Sequence, residues 1–79
     1  MEKETIGISD LPTAAYLITQ KFILVETRFK GRRALFHFEK TPEIQTEIAN
    51  FINSRTKVDA LEFYRSFRLL KNLIFQRSS

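Results

Sequence analysis

The chain has 79 residues, of which 43% are apolar and 13% aromatic, including eight phenylalanines. This size predicts one domain, residues 1–79, with a core just large enough to fold without disulfides or metals. The absence of cysteine excludes disulfides, thiolate metal sites and a cysteine nucleophile, and is typical of a reducing compartment. The net charge of +4 favours anionic partners but is also ordinary for a small soluble domain.

The first part of the chain predicts a short edge strand followed by a helix. In TIGIS, residues 5–9, two isoleucines alternate with small or polar residues, although Gly7 weakens a strand. Ser9 and Asp10 then precede LPTAAYLITQ, a helix start with Pro12 in its first turn. The apolar face of this helix is Leu11, Ala14, Ala15 and Ile18.

The segments FILVETRF and RALFHFEK flank Lys30 and Gly31 and predict a β-hairpin, because both are rich in β-branched and aromatic residues. A two-residue loop at Lys30 and Gly31 pairs Val25 with Phe36. One face then carries Ile23, Val25, Thr27, Ala34, Phe36 and Phe38. A three-residue loop pairs Leu24 with Phe36 instead, and such a shift exchanges the faces of the first strand.

Two more helices are predicted after the hairpin. The first, TPEIQTEIANFINS, has Thr41 as its N-cap and Pro42 at its first helical position. Its apolar face is Ile44, Ile48, Phe51 and Ile52. The second begins with Asp59 and Glu62 as a capping box, and its apolar stripe is Ala60, Phe63, Phe67, Leu70 and Ile74.

The predicted order of elements is therefore (β)αββαα, with an ordered core from about residue 5 to residue 76. A hairpin alone is not stable in water, so the three helices must cover its apolar face. The expected architecture is a small two-layer α+β domain in which an antiparallel hairpin packs against three helices. The N-terminus lacks a signal-peptide pattern and no apolar run could span a membrane, so we expect a cytoplasmic protein without membrane contact.

Several short motifs resemble a small domain family of unknown function found in bacteria, phages and mobile elements. They are SDLPTAAYLI, the FHFE strand, FINSRTKVDALEF and LLKNLI, and the likeness extends from Thr5 to Phe75. The chain departs from the family at Lys21 and Ser54, where glycine is expected in two turns. The family has no established activity, so the resemblance implies an architecture and no chemistry.

No catalytic or metal-binding arrangement is visible in the sequence. His37 is the only histidine and lies between phenylalanines in FHFE, so it is expected on the outward face of its strand, near Glu39. A general base or metal ligand needs converging partners, and H-x-E alone is a weak signal. We therefore expect a non-enzymatic protein without cofactor or metal.

The stretch RFKGRR at the hairpin turn is a candidate nucleic-acid contact. Arg28, Lys30, Arg32 and Arg33 could bind phosphates, and Phe29 could stack on a single-stranded base. The alternative is a solvated hairpin end, where cations discourage aggregation through strand edges and Phe29 covers the core.

A second basic surface is predicted around the last helix, formed by Arg55, Lys57, Arg65, Arg68 and Lys71. Its two helices and linker loosely resemble a helix-turn-helix, but Asp59 and Glu62 occupy the turn that would approach the phosphates. A solvated helical face is the simpler interpretation.

Three leucines of the last helix, Leu61, Leu69 and Leu73, lie off its apolar stripe. They indicate either a protein interface, with a partner or a second copy, or a surface covered by the first helix or the N-terminus. Our main expectation is a binding module that uses this helix for protein interaction or self-association. The alternative is a nucleic-acid-binding accessory protein that uses the hairpin turn.

Overall fold

The structure is a computed structural model that describes residues 4–78. Its elements are β1 (Thr5–Ile8), α1 (Leu11–Thr19), β2 (Leu24–Lys30), β3 (Arg33–Glu39), α2 (Ile44–Ile52) and α3 (Ala60–Ser78). This order confirms the predicted α+β class, and the N-terminal edge strand forms as expected. None of the helices in this part of the chain is both long and apolar enough to cross a membrane.

The sheet has the order β1-β3-β2, and both outer strands run antiparallel to β3. β1 and β2 are therefore parallel to each other and are joined through α1, with β3 inserted between them. β1 pairs only with residues 36–39 of β3, whereas β2 also pairs with residues 33–35. The part of the sheet nearest the hairpin turn consequently has two strands instead of three.

Both predicted hairpin registers are wrong. The loop is Gly31 and Arg32, and Thr27 pairs with Phe36. The register shifts between Leu24 and Glu26, which leaves Val25 as a bulge.

The bulge changes which side chains of β2 face the core. The register with the two-residue loop places Ile23 and Val25 on the inward face, but they are 60% and 50% exposed. Leu24, which precedes the bulge, packs against the core instead, and Phe29, which follows it, also packs against the core. A bulge reverses the inside–outside alternation on one side of itself, because one extra residue is inserted in a pattern of period two.

The core lies between the inner face of the sheet and the helices, and α1 is its central element. Five consecutive residues of α1 are buried, from Thr13 to Leu17, because α1 contacts β1, α2 and α3. The predicted face is correct: both alanines are fully buried, and Leu11 and Ile18 pack against the core. Tyr16 and Leu17 are buried as well, which a single-faced helix does not predict.

The predicted carboxylates cap the starts of α1 and α3, although at α3 only the Asp59 half of the predicted capping box forms among the described residues. The backbone N–H and the hydroxyl of Thr13 both donate to Oδ2 of Asp10, at 3.1 and 2.6 Å. At α3, the backbone N–H of Glu62 donates to Oδ1 of Asp59 at 2.9 Å. Each carboxylate satisfies an N–H that has no partner inside its helix.

The predicted start of α2 is wrong. The helix begins at Ile44, after a turn, instead of directly after Thr41. The hydroxyl of Thr41 is buried without a hydrogen-bond partner, and Glu43 at the N-cap position makes no capping bond. The tertiary contacts of Ile44, which is fully buried, therefore hold this helix start without a side-chain cap.

Both α1 and α2 end in a Schellman motif. At α1, the N–H of Lys21 donates to the carbonyl of Ile18 and that of Phe22 to Leu17, at 2.9 and 3.0 Å. At α2, Ser54 donates to Phe51 and Arg55 to Asn50, at 3.1 and 2.8 Å. Lys21 and Ser54 take positive φ values of 72° and 58°. Glycine usually occupies this position of the motif, because it adopts a positive φ without steric cost.

The apolar faces of α2 and α3 are narrower than predicted. Ile44, Ile48 and Phe51 pack in or against the core, but Ile52 is 68% exposed. In α3 the stripe from Phe63 to Ile74 packs inward, whereas Ala60 is exposed. Ala60 is the first residue of α3 and lies beyond the reach of the core.

Candidate interaction surfaces

The hairpin end, residues 28–35, presents the cations that the sequence singles out. Lys30 and Arg33 form its last pair, and the loop of Gly31 and Arg32 joins them. Gly31 takes a φ of 62° while Arg32 does not take a positive φ, the pattern of a type II′ turn. All four of these residues are exposed, so the turn displays three positive charges to solvent.

Arg28 differs from the other cations because it is paired. Its guanidinium contacts Oε1 of Glu26 through both Nε and an Nη atom, on the outer face of β2. An exposed pair of this kind contributes little to stability, but the carboxylate offsets the positive charge of Arg28. Within the described part of the chain, Lys30, Arg32 and Arg33 make no salt bridge.

These three cations also line a groove of about 490 Å³ beside the hairpin end. The groove forms where β1 stops at Ile8 and the chain turns into α1, which leaves this part of β3 uncovered. Its remaining lining is Ser9, Leu11, Ala34, Phe36 and Ile74. The result is a partly apolar groove with positive charge on one side.

Phe29 does not belong to this exposed surface. It pairs with Ala34 on the inner face of the sheet and packs half-buried against the core. This packing favours the alternative interpretation, in which Phe29 covers the core, over stacking on a base.

Two of the three leucines that were predicted to be exposed on α3 are exposed in the structure. Leu61 and Leu69 are 56% and 49% exposed, but Leu73 is half-buried and packs against the core. The assignment of Leu73 to an exposed interface is therefore wrong. The sequence analysis missed Tyr64 and Phe75, which are 56% and 74% exposed on the same helix. The sequence does contain a signal for their exposure, because both aromatic residues lie off the stripe that contains Phe63, Phe67 and Leu70.

The five cations of the second predicted basic surface lie in three separate places. Arg55 and Lys57 are exposed in the link before α3. Arg65 lines a groove together with Lys21, Glu62 and Ser66.

A different groove, of about 540 Å³, contains the other two cations and is lined by Tyr64, Phe67, Arg68, Lys71 and Asn72. There Arg68 lies 5.9 Å from the ring centroid of Tyr64, and Lys71 lies 5.9 Å from that of Phe67. The distance is within the range of a cation–π contact. Arg68 and Lys71 therefore each lie beside an aromatic ring while remaining exposed to solvent.

His37 lies on the outer face of the sheet, as predicted. Its Nδ1 is 3.1 Å from the hydroxyl of Thr5, and its ring lies over Gly7, where an added Cβ would come within 3.2 Å of Cε1. Within the described residues, no group of three or more His, Cys, Asp and Glu side chains could hold a metal ion.

Among the described residues, Tyr16 has the most strongly shifted pKa, and its contacts are structural. The hydroxyl of Tyr16 donates a 2.6 Å hydrogen bond to Oε2 of Glu47. Burial, and then the hydrogen bond and negative charge of Glu47, raise the pKa of Tyr16 to about 12. The ring of Tyr16 begins a row of stacked aromatics that continues through Phe51, Phe63 and Phe67. The row joins all three helices, and the sequence analysis did not predict it.

A family model described as a domain of unknown function (DUF5659) matches residues 3–76. No curated protein and no solved structure shows a significant match to the chain. The family resemblance noted from the sequence motifs is thereby confirmed over nearly the whole chain.

Proposed function

The chain belongs to this family of unknown function, and we propose that it is a non-enzymatic module that binds an acidic amphipathic helix of a partner protein. The binding site is the α3 surface, which consists of Leu61, Tyr64, Arg65, Arg68, Leu69 and Phe75. The observation that carries the proposal is the exposure of its four apolar side chains, each about half or more accessible to solvent. So much apolar area on one helix of a small domain is typical of a contact surface.

The arrangement of these side chains suits a helical partner. At 100° per residue, the four apolar residues fall within an arc of about 140° around α3, and Arg65 and Arg68 fall inside the same arc. The groove beside Tyr64 adds Lys71 to the positive charge at this surface. A partner helix with leucines on one face and carboxylates beside them would match both features.

The charge of the α3 surface favours a partner protein over a second copy. A symmetric pair would place Arg65 and Arg68 of one copy against the same residues of the other. Such like-charge contacts cost several kcal/mol when they lose solvent, whereas carboxylates at those positions would be attracted. Burying four half-exposed apolar side chains contributes roughly 3–6 kcal/mol before the entropic cost of association. This magnitude suits a weak, transient complex.

The proposal is tested by titrating the ¹⁵N-labelled chain with a designed amphipathic peptide that has leucine at heptad a and d positions and glutamate beside them. We expect amide shifts confined to residues 61–75. A matched peptide with lysine in place of glutamate should give none. Equal shifts with both peptides, or no shifts with the acidic one, would contradict the proposal.

Two variants separate the apolar and ionic contributions. Leu69→Gln and Arg68→Gln should each weaken binding of the acidic peptide, by roughly 1 kcal/mol or about fivefold. Ile52→Gln is the matched control, because Ile52 is also an exposed apolar residue, at 68% against 49% for Leu69, but lies on α2. A dimer in sedimentation that Leu69→Gln dissociates would assign the surface to a second copy instead.

We also propose that this module acts in the cytoplasm. The absence of cysteine from all 79 residues supports a reducing compartment such as the cytoplasm. The role requires no cofactor and no metal.

A further inference from the structure

A second, independent surface lies at the hairpin end, where four cations occur within six residues of sequence. The outer face of the sheet carries no helix there, and Lys30, Arg32 and Arg33 are all exposed. Their lack of salt bridges within the described residues leaves this charge available to an anionic ligand.

The width of the hairpin end determines which nucleic-acid groove it can enter. Because β1 stops opposite Phe36, residues 28–30 and 33–35 form a two-stranded ribbon. Two strands lie about 4.8 Å apart, and the major groove of B-DNA, roughly 12 Å wide, admits such a ribbon. The third strand would widen the sheet, but it is absent from this part of the structure.

The position of Phe29 distinguishes double-stranded from single-stranded nucleic acid. Binding of single strands relies on exposed aromatic rings on which bases stack, and Phe29 faces the core. Double-stranded RNA is also disfavoured, because its major groove is deep and too narrow for side chains to read. We propose that the hairpin end binds duplex DNA through its backbone phosphates, with Lys30, Arg32 and Arg33 as the contacts.

The number of contacts sets the expected salt dependence. Three phosphate contacts predict a slope of log K against log salt of about −2.7, since each contact contributes about −0.9. The affinity should therefore fall about 40-fold between 50 and 200 mM salt. The measurement is the fluorescence anisotropy of a labelled duplex of about 20 base pairs, titrated with the full chain.

The decisive variant is Lys30→Gln/Arg32→Gln/Arg33→Gln, in which all three contacts lose their charge. Each single substitution should reduce the slope by about one, and the triple variant should bring it close to zero. The matched control is Arg55→Gln/Lys57→Gln/Lys71→Gln, which has the same net charge but keeps the hairpin end intact. It should retain the slope of the original chain.

Four outcomes would overturn the proposal. They are an equal loss in both triple variants, no binding at 25 mM salt, equal affinity for a single strand of the same length, and displacement by polyglutamate as efficient as by DNA at equal charge. The last would assign the site to an acidic protein. Leu69→Gln and Arg68→Gln leave the hairpin end unchanged, so a failure of this proposal is distinguishable from a failure of the proposed α3 surface.

Discussion

The hydroxyl of Tyr16 on α1 donates to Oε2 of Glu47 on α2 across 2.6 Å, while the ring of Tyr16 stacks on Phe51 with centroids 4.6 Å apart. One side chain thus joins two helices through a polar contact and an apolar contact. Tyr16 is only 2% exposed, so its hydroxyl would be costly to bury without the carboxylate.

The first prediction concerns alkaline pH. Because the folded chain raises the pKa of Tyr16 from 10.0 to about 12, the neutral tyrosine contributes stability that is fully present below pH 10. That contribution should be lost as the pH rises from 10 to 12, by about 2–3 kcal/mol. Urea unfolding of the original chain and of Tyr16→Phe isolates the contribution of Tyr16 to the unfolding free energy, because the lysines and arginines titrate alike in both proteins. The difference in unfolding free energy between them should shrink over this range.

A second variant tests the cause of the shift. Glu47→Gln removes the negative charge but leaves Tyr16 buried, and burial is the larger cause of the raised pKa. The alkaline loss of stability should therefore become smaller without disappearing. If Tyr16→Phe loses stability with pH just as the original chain does, Tyr16 is not the titrating group.

The second prediction concerns the two Schellman motifs. Lys21 and Ser54 take the left-handed conformation, which costs a residue with a side chain roughly 1–2 kcal/mol relative to glycine. Glycine loses more entropy on folding, which offsets part of the gain. Lys21→Gly and Ser54→Gly should each stabilise the domain by about 0.5–1 kcal/mol, measured as a higher urea midpoint. The two gains should add, because the sites cap different helices.

Two controls accompany these variants. Gln20→Gly changes the residue before Lys21, which has an ordinary φ of −84°, and should destabilise the domain. Gly31→Ala should also destabilise it, by about 1 kcal/mol, because φ is 62°. An added Cβ at Gly31 meets no atom within 4 Å, so that cost would be conformational alone. Stabilisation by Gln20→Gly would show that the positive φ values are not the cause.

Local signals predicted two of the three helix starts from the sequence, whereas the start predicted at Thr41 was wrong because the burial of Ile44 fixes the start of α2. The carboxylates of Asp10 and Asp59 cap their helices within three residues, so a short window of sequence contains the whole interaction. The glycine positions implied by the family resemblance, now Lys21 and Ser54, keep the glycine-like conformation. In each case the deciding contacts lie within five residues along the chain.

Features decided by distant contacts could not be predicted in this way. The bulge at Val25 depends on packing that favours Leu24 inside over Ile23 and Val25, and all three are apolar in sequence. The candidate sites follow the same rule. The positions of the cations at the hairpin turn are local, but the half-buried packing of Phe29 depends on contacts with the distant residues of the core.

The third prediction concerns the contact between α1 and α3. The hydroxyl of Thr19 donates to the carbonyl of Ala15 at 2.9 Å, so its 3.0 Å contact with Ser66 must use the hydroxyl of Ser66 as donor. Ser66 is buried and Thr19 is half-buried. Thr19→Ala would leave the buried Ser66 hydroxyl without its partner and should cost about 1–3 kcal/mol, more than the 0.5–1.5 kcal/mol expected for Ser66→Ala.

A double-mutant cycle in thermal or urea unfolding tests this asymmetry. The combined Thr19→Ala/Ser66→Ala variant should cost less than the sum of the two single variants, because it leaves no buried hydroxyl unsatisfied. Additive costs would mean that the two hydroxyls do not interact. A larger cost for Ser66→Ala than for Thr19→Ala would mean that the burial of the hydroxyl left behind does not set the cost.

The last prediction concerns Glu26, whose carboxylate pairs with Arg28 beside the proposed DNA contacts. Glu26→Gln removes a negative charge that repels phosphate and releases the Arg28 guanidinium, so DNA binding through the hairpin end should strengthen. With a fourth cation available, the slope of log K against log salt should steepen from about −2.7 to about −3.6. Glu62→Gln provides the control, because it makes the same change in net charge at an exposed position on α3. If both variants strengthen binding equally and neither changes the slope, the effect is one of net charge and Arg28 gains no phosphate contact.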